Sequence, residues 1–153
     1  MLPDATVVRH ILTSAGISDL HAEETTLGVV VRLQAADIAR ALEALHDCEL
    51  DFGMLVDLLG TDTGEEIELT YHLRSFSRDE ELYLKTRVPY GGEVRSVWNA
   101  YPSALLPERE TAELFGLVLA GHPNPKRLFT TDGVEPLLRK SVPIRTLEEV
   151  RQR

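Results

Sequence analysis

The chain has 153 residues, enough for one domain with a single sizeable core, and 43% of them are hydrophobic against 27% charged. A formal net charge of −9 weighs against nucleic acid as a partner, and no apolar run approaches the roughly 18 residues that a membrane span needs. Cys48 is the one cysteine, so no internal disulfide can form, which suits a cytoplasmic setting.

The first segment, MLPDATVVRHILTSAG, has Asp4 and Arg9 where a signal peptide would have a basic start and an unbroken apolar block. Instead, Val7, Val8, Ile11 and Leu12 form one helical stripe that Ala15-Gly16 ends. LGVVVRL from Leu27 predicts a strand. ADIARALEALHD from Ala36 predicts a helix with Ile38, Leu42 and Leu45 on one face. FGMLVDLLG from Phe52 reads as a strand buried on both faces, followed by the turn-rich GTDTGEE. Ile67, Leu69, Tyr71 and Leu73 then alternate with polar residues, as do Leu82, Leu84 and Val88, so each strand has one core face. FSRDEE turns between them, and pairing Arg74 with Glu81 sets Glu68 opposite Arg87. VRSVWNA predicts a helical turn, and PERETAELFG a short helix with Pro107 at its first position. After Gly121, Pro123, Pro125, Pro136 and Pro143 exclude a long helix or a central strand. The expected fold is α+β: a mostly antiparallel sheet packed by helices over residues 1–120, then an extended Pro-rich tail over 121–153.

Several chemistries lack their motifs. There is no Gly-rich phosphate loop, no paired-cysteine motif and no Gly-x-Ser-x-Gly elbow, and Cys48 has no catalytic signature around it. His10 and His46 fall on predicted helices, His21 in a polar loop, and His72 on the polar face of a strand. His122, in Gly-His-Pro, suits a ligand or a turn histidine bonded to backbone, and the second reading is favoured.

Charge is unevenly placed. Residues 121–145 carry Lys126, Arg127, Arg139, Lys140 and Arg145 against Asp132 and Glu135, a net of +3, whereas residues 1–120 carry nine basic and twenty-one acidic side chains, a net of −12. Such a segment has its own partner or lies back on the acidic body; as a docking arm it would use Leu128, Phe129, Leu137 and Leu138 as apolar anchors and Arg127, Arg139 and Lys140 as charge contacts. Just before it, Glu108, Ala112 and Phe115 share one helical stripe, and Arg109 pairs with Glu113 by i, i+4 spacing. The cluster reads either as a solvated helix start or as a partly buried Glu108–Arg109 network.

Glu108-Arg109-Glu110, Leu114-Phe115-Gly116, Gly121-His122-Pro123, Arg127-Leu128, Asp132 and Pro136-Leu-Leu-Arg139-Lys140 together resemble the signature of the thirty-kilodalton subunit of respiratory complex I, the proton-pumping NADH:quinone oxidoreductase. FGMLVDLLGTD, TYHLRS and VRSVWNAYPSA fit the same family, so the resemblance covers most of the chain. The family usually has aspartate where Glu113 stands and an aromatic at Ala112, and its Gly-x-Pro-Leu-Arg-Lys-Asp run is altered here to Gly133-Val-Glu-Pro-Leu-Leu-Arg-Lys-Ser141. The resemblance implies a scaffold subunit with no redox cofactor, metal or catalytic residue of its own. Its tail would wrap the large hydrogenase-like subunit that forms the quinone site with an iron–sulfur neighbour, on the cytoplasmic side of the membrane, with contact to the membrane only through the complex. Equivalent subunits of energy-converting hydrogenases and of F420H2- or ferredoxin-linked enzymes are a second branch. A free-standing small enzyme using His72 and His122, and an assembly factor, are further alternatives.

Overall fold

A computed structural model describes residues 3–151; Met1 and Leu2 of the first segment and Gln152 and Arg153 of the tail lie outside the described residues. Helix α1 (Ala5–Ser14) starts at Asp4, whose carboxylate accepts from the Thr6 N–H at 2.7 Å, and stops at Gly16, where φ is +83°. Strands β1 (Leu20–Thr25) and β2 (Gly28–Leu33) form a hairpin, a short 3₁₀ turn leads into α2 (Ile38–His46), and β3 (Met54–Asp62), β4 (Glu66–Ser75) and β5 (Glu80–Pro89) follow as a meander. The sheet order is β1-β2-β5-β4-β3, and β2 with β5 is its one parallel pair. The meander begins at the far edge after α2 and works back, so β5 arrives beside β2 in the same direction.

The β4–β5 register has Arg74 opposite Glu81 and Glu68 opposite Arg87, as the alternation predicts. Leu69, Tyr71, Leu73, Leu82 and Leu84 all face the core with α1 and α2, and burying each such side chain contributes about 1.5–3 kcal/mol. On the other face, Glu68 meets Lys85 at 2.9 Å and Arg32 at 3.5 Å, and His72 stacks on Tyr83 with ring centroids 4.4 Å apart. The buried Tyr101 hydroxyl lies 2.8 Å from the Phe52 carbonyl and 3.2 Å from that of Leu42, joining the middle of α2 to the approach of β3.

Four expectations need correction. His21 lies on β1, a strand with too few apolar residues to register as one; its partner β2 supplies the apolar side. β3 is an edge strand buried on one face only: Leu55 and Leu58 point inward while Met54, Val56 and Leu59 are exposed. The VRSVWNA segment is not a helical turn at its start, because Glu93–Arg95 form strand β6, which pairs in parallel with β7 (Val118–Ala120). Helix α3 runs from Leu105 to Phe115, with Pro107 its third residue, because the 3₁₀ turn Pro102–Ala104 leads into it. Pro107 remains within the first turn, where a missing N–H costs nothing.

From Gly121 to Thr146 no helix or strand occurs, and a short helix α4 (Leu147–Arg151) follows. Among the described residues, every hydrophobic side chain of the buried core lies between Val8 and Leu117.

Candidate functional site

Helix α3 and the tail meet along one side of the domain, and the charged residues of the helix point in different directions there. Glu108 is 2% exposed and faces inward. Its Oε1 accepts from the Val97 N–H at 2.8 Å and its Oε2 from the Ser96 hydroxyl. Burial raises the Glu108 carboxyl above its ordinary value, opposed by these two hydrogen bonds and by His122. The residue ties the turn after β6 to α3.

Arg109 is not its partner, so the expected Glu108–Arg109 network does not form. Consecutive helical residues point about 100° apart, and Arg109 turns outward to the tail. Its Nε donates to the Lys126 carbonyl at 2.7 Å and its guanidinium to that of Arg127 at 2.9 Å. Glu113, one turn on, accepts from the N–H groups of Leu128 (2.6 Å), Phe129 (3.1 Å) and Thr130 (2.6 Å) and from the Thr130 hydroxyl. The i, i+4 spacing therefore aligns two grips on one stretch of main chain instead of making an ion pair. Glu110 is exposed.

Burial works to raise the Glu113 carboxyl, but the Thr130 hydroxyl and the three N–H groups outweigh it and hold the group at about 2, against an ordinary 4.5. A depressed folded value means the stabilisation is complete above about 4.5 and is lost as pH falls through about 2. An NMR titration of the Glu113 carboxyl carbon is expected to give a midpoint near 2; a midpoint near 4.5 would show that the grip does not form in solution.

His122 is a turn histidine. Its Nε2–H donates to the Leu105 carbonyl at 2.9 Å and its Nδ1 accepts from the Asn124 N–H at 3.0 Å, which assigns the tautomer. Nε2 is also 3.9 Å from Glu108. Gly121, with φ of +75°, makes the turn into His122-Pro123 and gives its carbonyl to the Trp98 indole at 3.1 Å.

Further along, Arg127 donates to Thr130 and to the Val134 carbonyl, and lies 3.9 Å from Asp132. Arg139 donates to the carbonyls of Phe115 (2.7 Å) and Gly116 (3.1 Å), capping the negative end of α3, and lies over the Tyr90 ring. Gly116 is left-handed at φ +71°, and a Cβ there would stand 2.6 Å from Pro136 and 2.9 Å from Arg139. The Lys140 backbone N–H donates to Asp62 at 2.7 Å. Asp62 also accepts from the Tyr90 hydroxyl, the main cause of its lowered carboxyl value, and from the Gly64 N–H.

Arg127 and Arg139, expected from sequence to be charge contacts for a partner, are thus committed within the chain. Of the residues expected to be apolar anchors, Leu128 is half-buried, and Phe129, Leu137 and Leu138 are exposed. Sequence reasoning misses Ser96, Val97 and Asp62, which carry no local signal beyond the Asp-x-Gly turn of Asp62. It gives Glu113 only a helix-surface role.

Residues 31–148 match the family model of the respiratory-chain NADH dehydrogenase 30 Kd subunit. An NADH-quinone oxidoreductase subunit of Parvibaculum lavamentivorans (strain DS-1) is 34% identical over 143 residues, covering 84% of this chain and 70% of that one. The same-named subunit of Methylobacterium radiotolerans is 36% identical over 126 residues, covering 78% and 58%. That of Roseiflexus sp. (strain RS-1) is 38% identical over 124 residues, covering 77% and 70%. This chain thus spans roughly 60–70% of these relatives' length. Among solved structures, a chain of the membrane-bound sulfane sulfur reductase, an archaeal respiratory membrane complex, superimposes with a TM-score of 0.76 at 24% identity, over 96% of this chain and 88% of that one, which shows a shared fold. With the family model matched over 118 of 153 residues, counting 31 through 148, the chain belongs to the 30 kDa subunit family of respiratory-chain NADH dehydrogenase, complex I.

Proposed function

We propose that this chain is a non-redox scaffold subunit in the peripheral arm of a complex I-type proton-pumping NADH:quinone oxidoreductase, on the cytoplasmic side of the membrane. In that assembly its tail docks on the large hydrogenase-like subunit near the quinone site, beside the iron–sulfur subunit. The chain holds no cofactor of its own, and it reaches the membrane only through its partners. The observation that carries this reading is the tail itself. Residues 121–146 cross the surface without helix or strand, carry net positive charge on an acidic body, and leave Phe129, Leu137, Leu138 and Ile144 in water. Such a segment meets its own domain mainly through main-chain hydrogen bonds, and gains by burying those exposed side chains in a partner.

Truncation after Pro125 keeps His122 and the whole apolar core, so the shortened chain is expected to keep its circular dichroism spectrum. It is expected to lose capture of the large hydrogenase-like subunit in a pull-down that the full chain passes. Equal capture by both chains would remove the docking role. Loss of folding in the short chain would make the tail part of the domain.

A further inference from the structure

We propose that residues 126–140 are a docking element that the domain builds in advance. The Arg109–Glu113 clasp sets its backbone, so that Phe129, Leu137 and Leu138 are offered to an apolar groove rimmed by carboxylates on the large subunit. The proposal rests on the docking role above and adds how the arm is prepared and what receives it.

The contacts are arranged the opposite way to those of a segment folding for its own sake. What the domain grips is polar main chain: two carbonyls by Arg109, three N–H groups by Glu113, the Leu138 N–H by the Leu114 carbonyl at 2.9 Å, and the Lys140 N–H by Asp62. Among the side chains the segment leaves in water are three large apolar ones: Phe129 is 65% exposed, Leu137 49% and Leu138 54%. Leu137 also lines an open hollow of about 700 Å³ with Val134, Val142 and Ile144. These gripped backbone groups are satisfied before a partner arrives, so ordering that part of the segment costs little at the moment of binding.

Charge defines the occupant. Arg127 and Arg139 are consumed by the chain's own carbonyls, and Arg145 is 3.8 Å from Glu135. Lys126 and Lys140 are exposed, and neither side chain forms an ion pair within 4.0 Å among the described residues, although the Lys140 charge helps to lower the nearby Asp62 carboxyl. Two lysines flanking a row of apolar side chains complement a groove whose floor is apolar and whose rim carries carboxylates.

The test uses the full chain and the purified large subunit. Hydrogen exchange on the free chain is expected to show protected amides at 128–130, 138 and 140. Glu113→Ala and Arg109→Gln are expected to lose the protection at 128–130 while keeping the circular dichroism spectrum. Binding falls in proportion to the population of the competent conformation, so a clasp formed a tenth as often weakens capture about tenfold. Phe129→Ser and Leu138→Ser are expected to weaken capture comparably with protection intact. Amides already unprotected in the wild type, or clasp variants that lose protection yet bind as well as wild type, would overturn preparation in advance. Serine variants that bind as well as wild type, or self-association of the free chain through these residues, would overturn the proposed occupant. No capture by a wild-type chain whose arm is protected would overturn the docking role, and with it the occupant.

Discussion

Glu108→Ala is expected to destabilise the domain by about 2–4 kcal/mol, because the Val97 N–H and the Ser96 hydroxyl would be left buried without an acceptor at about 1–3 kcal/mol each, partly offset by no longer burying a carboxylate. The position lies on the helix that carries the clasp, so the variant should also loosen residues 126–130. Glu108→Gln keeps the shape: its carbonyl can accept from Val97 and its amide can donate to the Ser96 oxygen, so its cost is expected to stay near or below about 1 kcal/mol. The two variants also differ in pH dependence. Because the folded Glu108 value is raised, its stabilisation is fully present below the ordinary 4.5 and is lost as pH rises through the folded value. Wild type should therefore lose more stability than Glu108→Gln as pH rises above 4.5 toward and through the folded value, read as urea midpoints. An alanine variant with an unchanged midpoint would mean that the carboxylate is solvated.

Gly60→Val is expected to have a comparable effect from the opposite side of the same junction. Gly60 sits on the core face of β3 opposite Leu69, and the Phe115 ring occupies the space a side chain would need. A Cβ at Gly60 would stand 2.4 Å from the ring's Cε2 and 2.6 Å from its Cδ2. Phe115 is buried and ends α3, so the ring cannot yield without moving the Gly116 turn and the Arg139 cap. Overpacking of this kind costs about 1–3 kcal/mol for one methyl group, so alanine should lower the melting temperature and valine should lower it further. Phe115→Leu in the Gly60→Ala background should recover part of the loss. An unchanged melting temperature for Gly60→Ala would refute the close packing of β3 on α3.

The central hairpin is fully legible in the sequence. Ile67 to Leu73 and Leu82 to Val88 alternate cleanly, and charge pairing selects one register, because both signals are local and every second residue repeats them. The ordered motifs from Glu108 to Lys140 are likewise enough to assign the family, which depends on residue identity in order and not on geometry. Sequence alone could not decide where each charged side chain of that signature points. Glu108 and Arg109 are neighbours in the chain, yet one meets Ser96 and Val97 across the domain and the other meets carbonyls seventeen and eighteen residues away. Periodicity describes one element at a time and carries no information about which distant element packs against it. The same reason hides β1, which is a strand because it pairs with β2, and the parallel pairing of β2 with β5, which exists only because the meander returns to the centre of the sheet. Prolines and charge mark the tail as irregular and basic, but only the tertiary structure shows that α3 grips its main chain and leaves its apolar side chains outward, because a backbone hydrogen bond can form at almost any residue and leaves no trace in sequence.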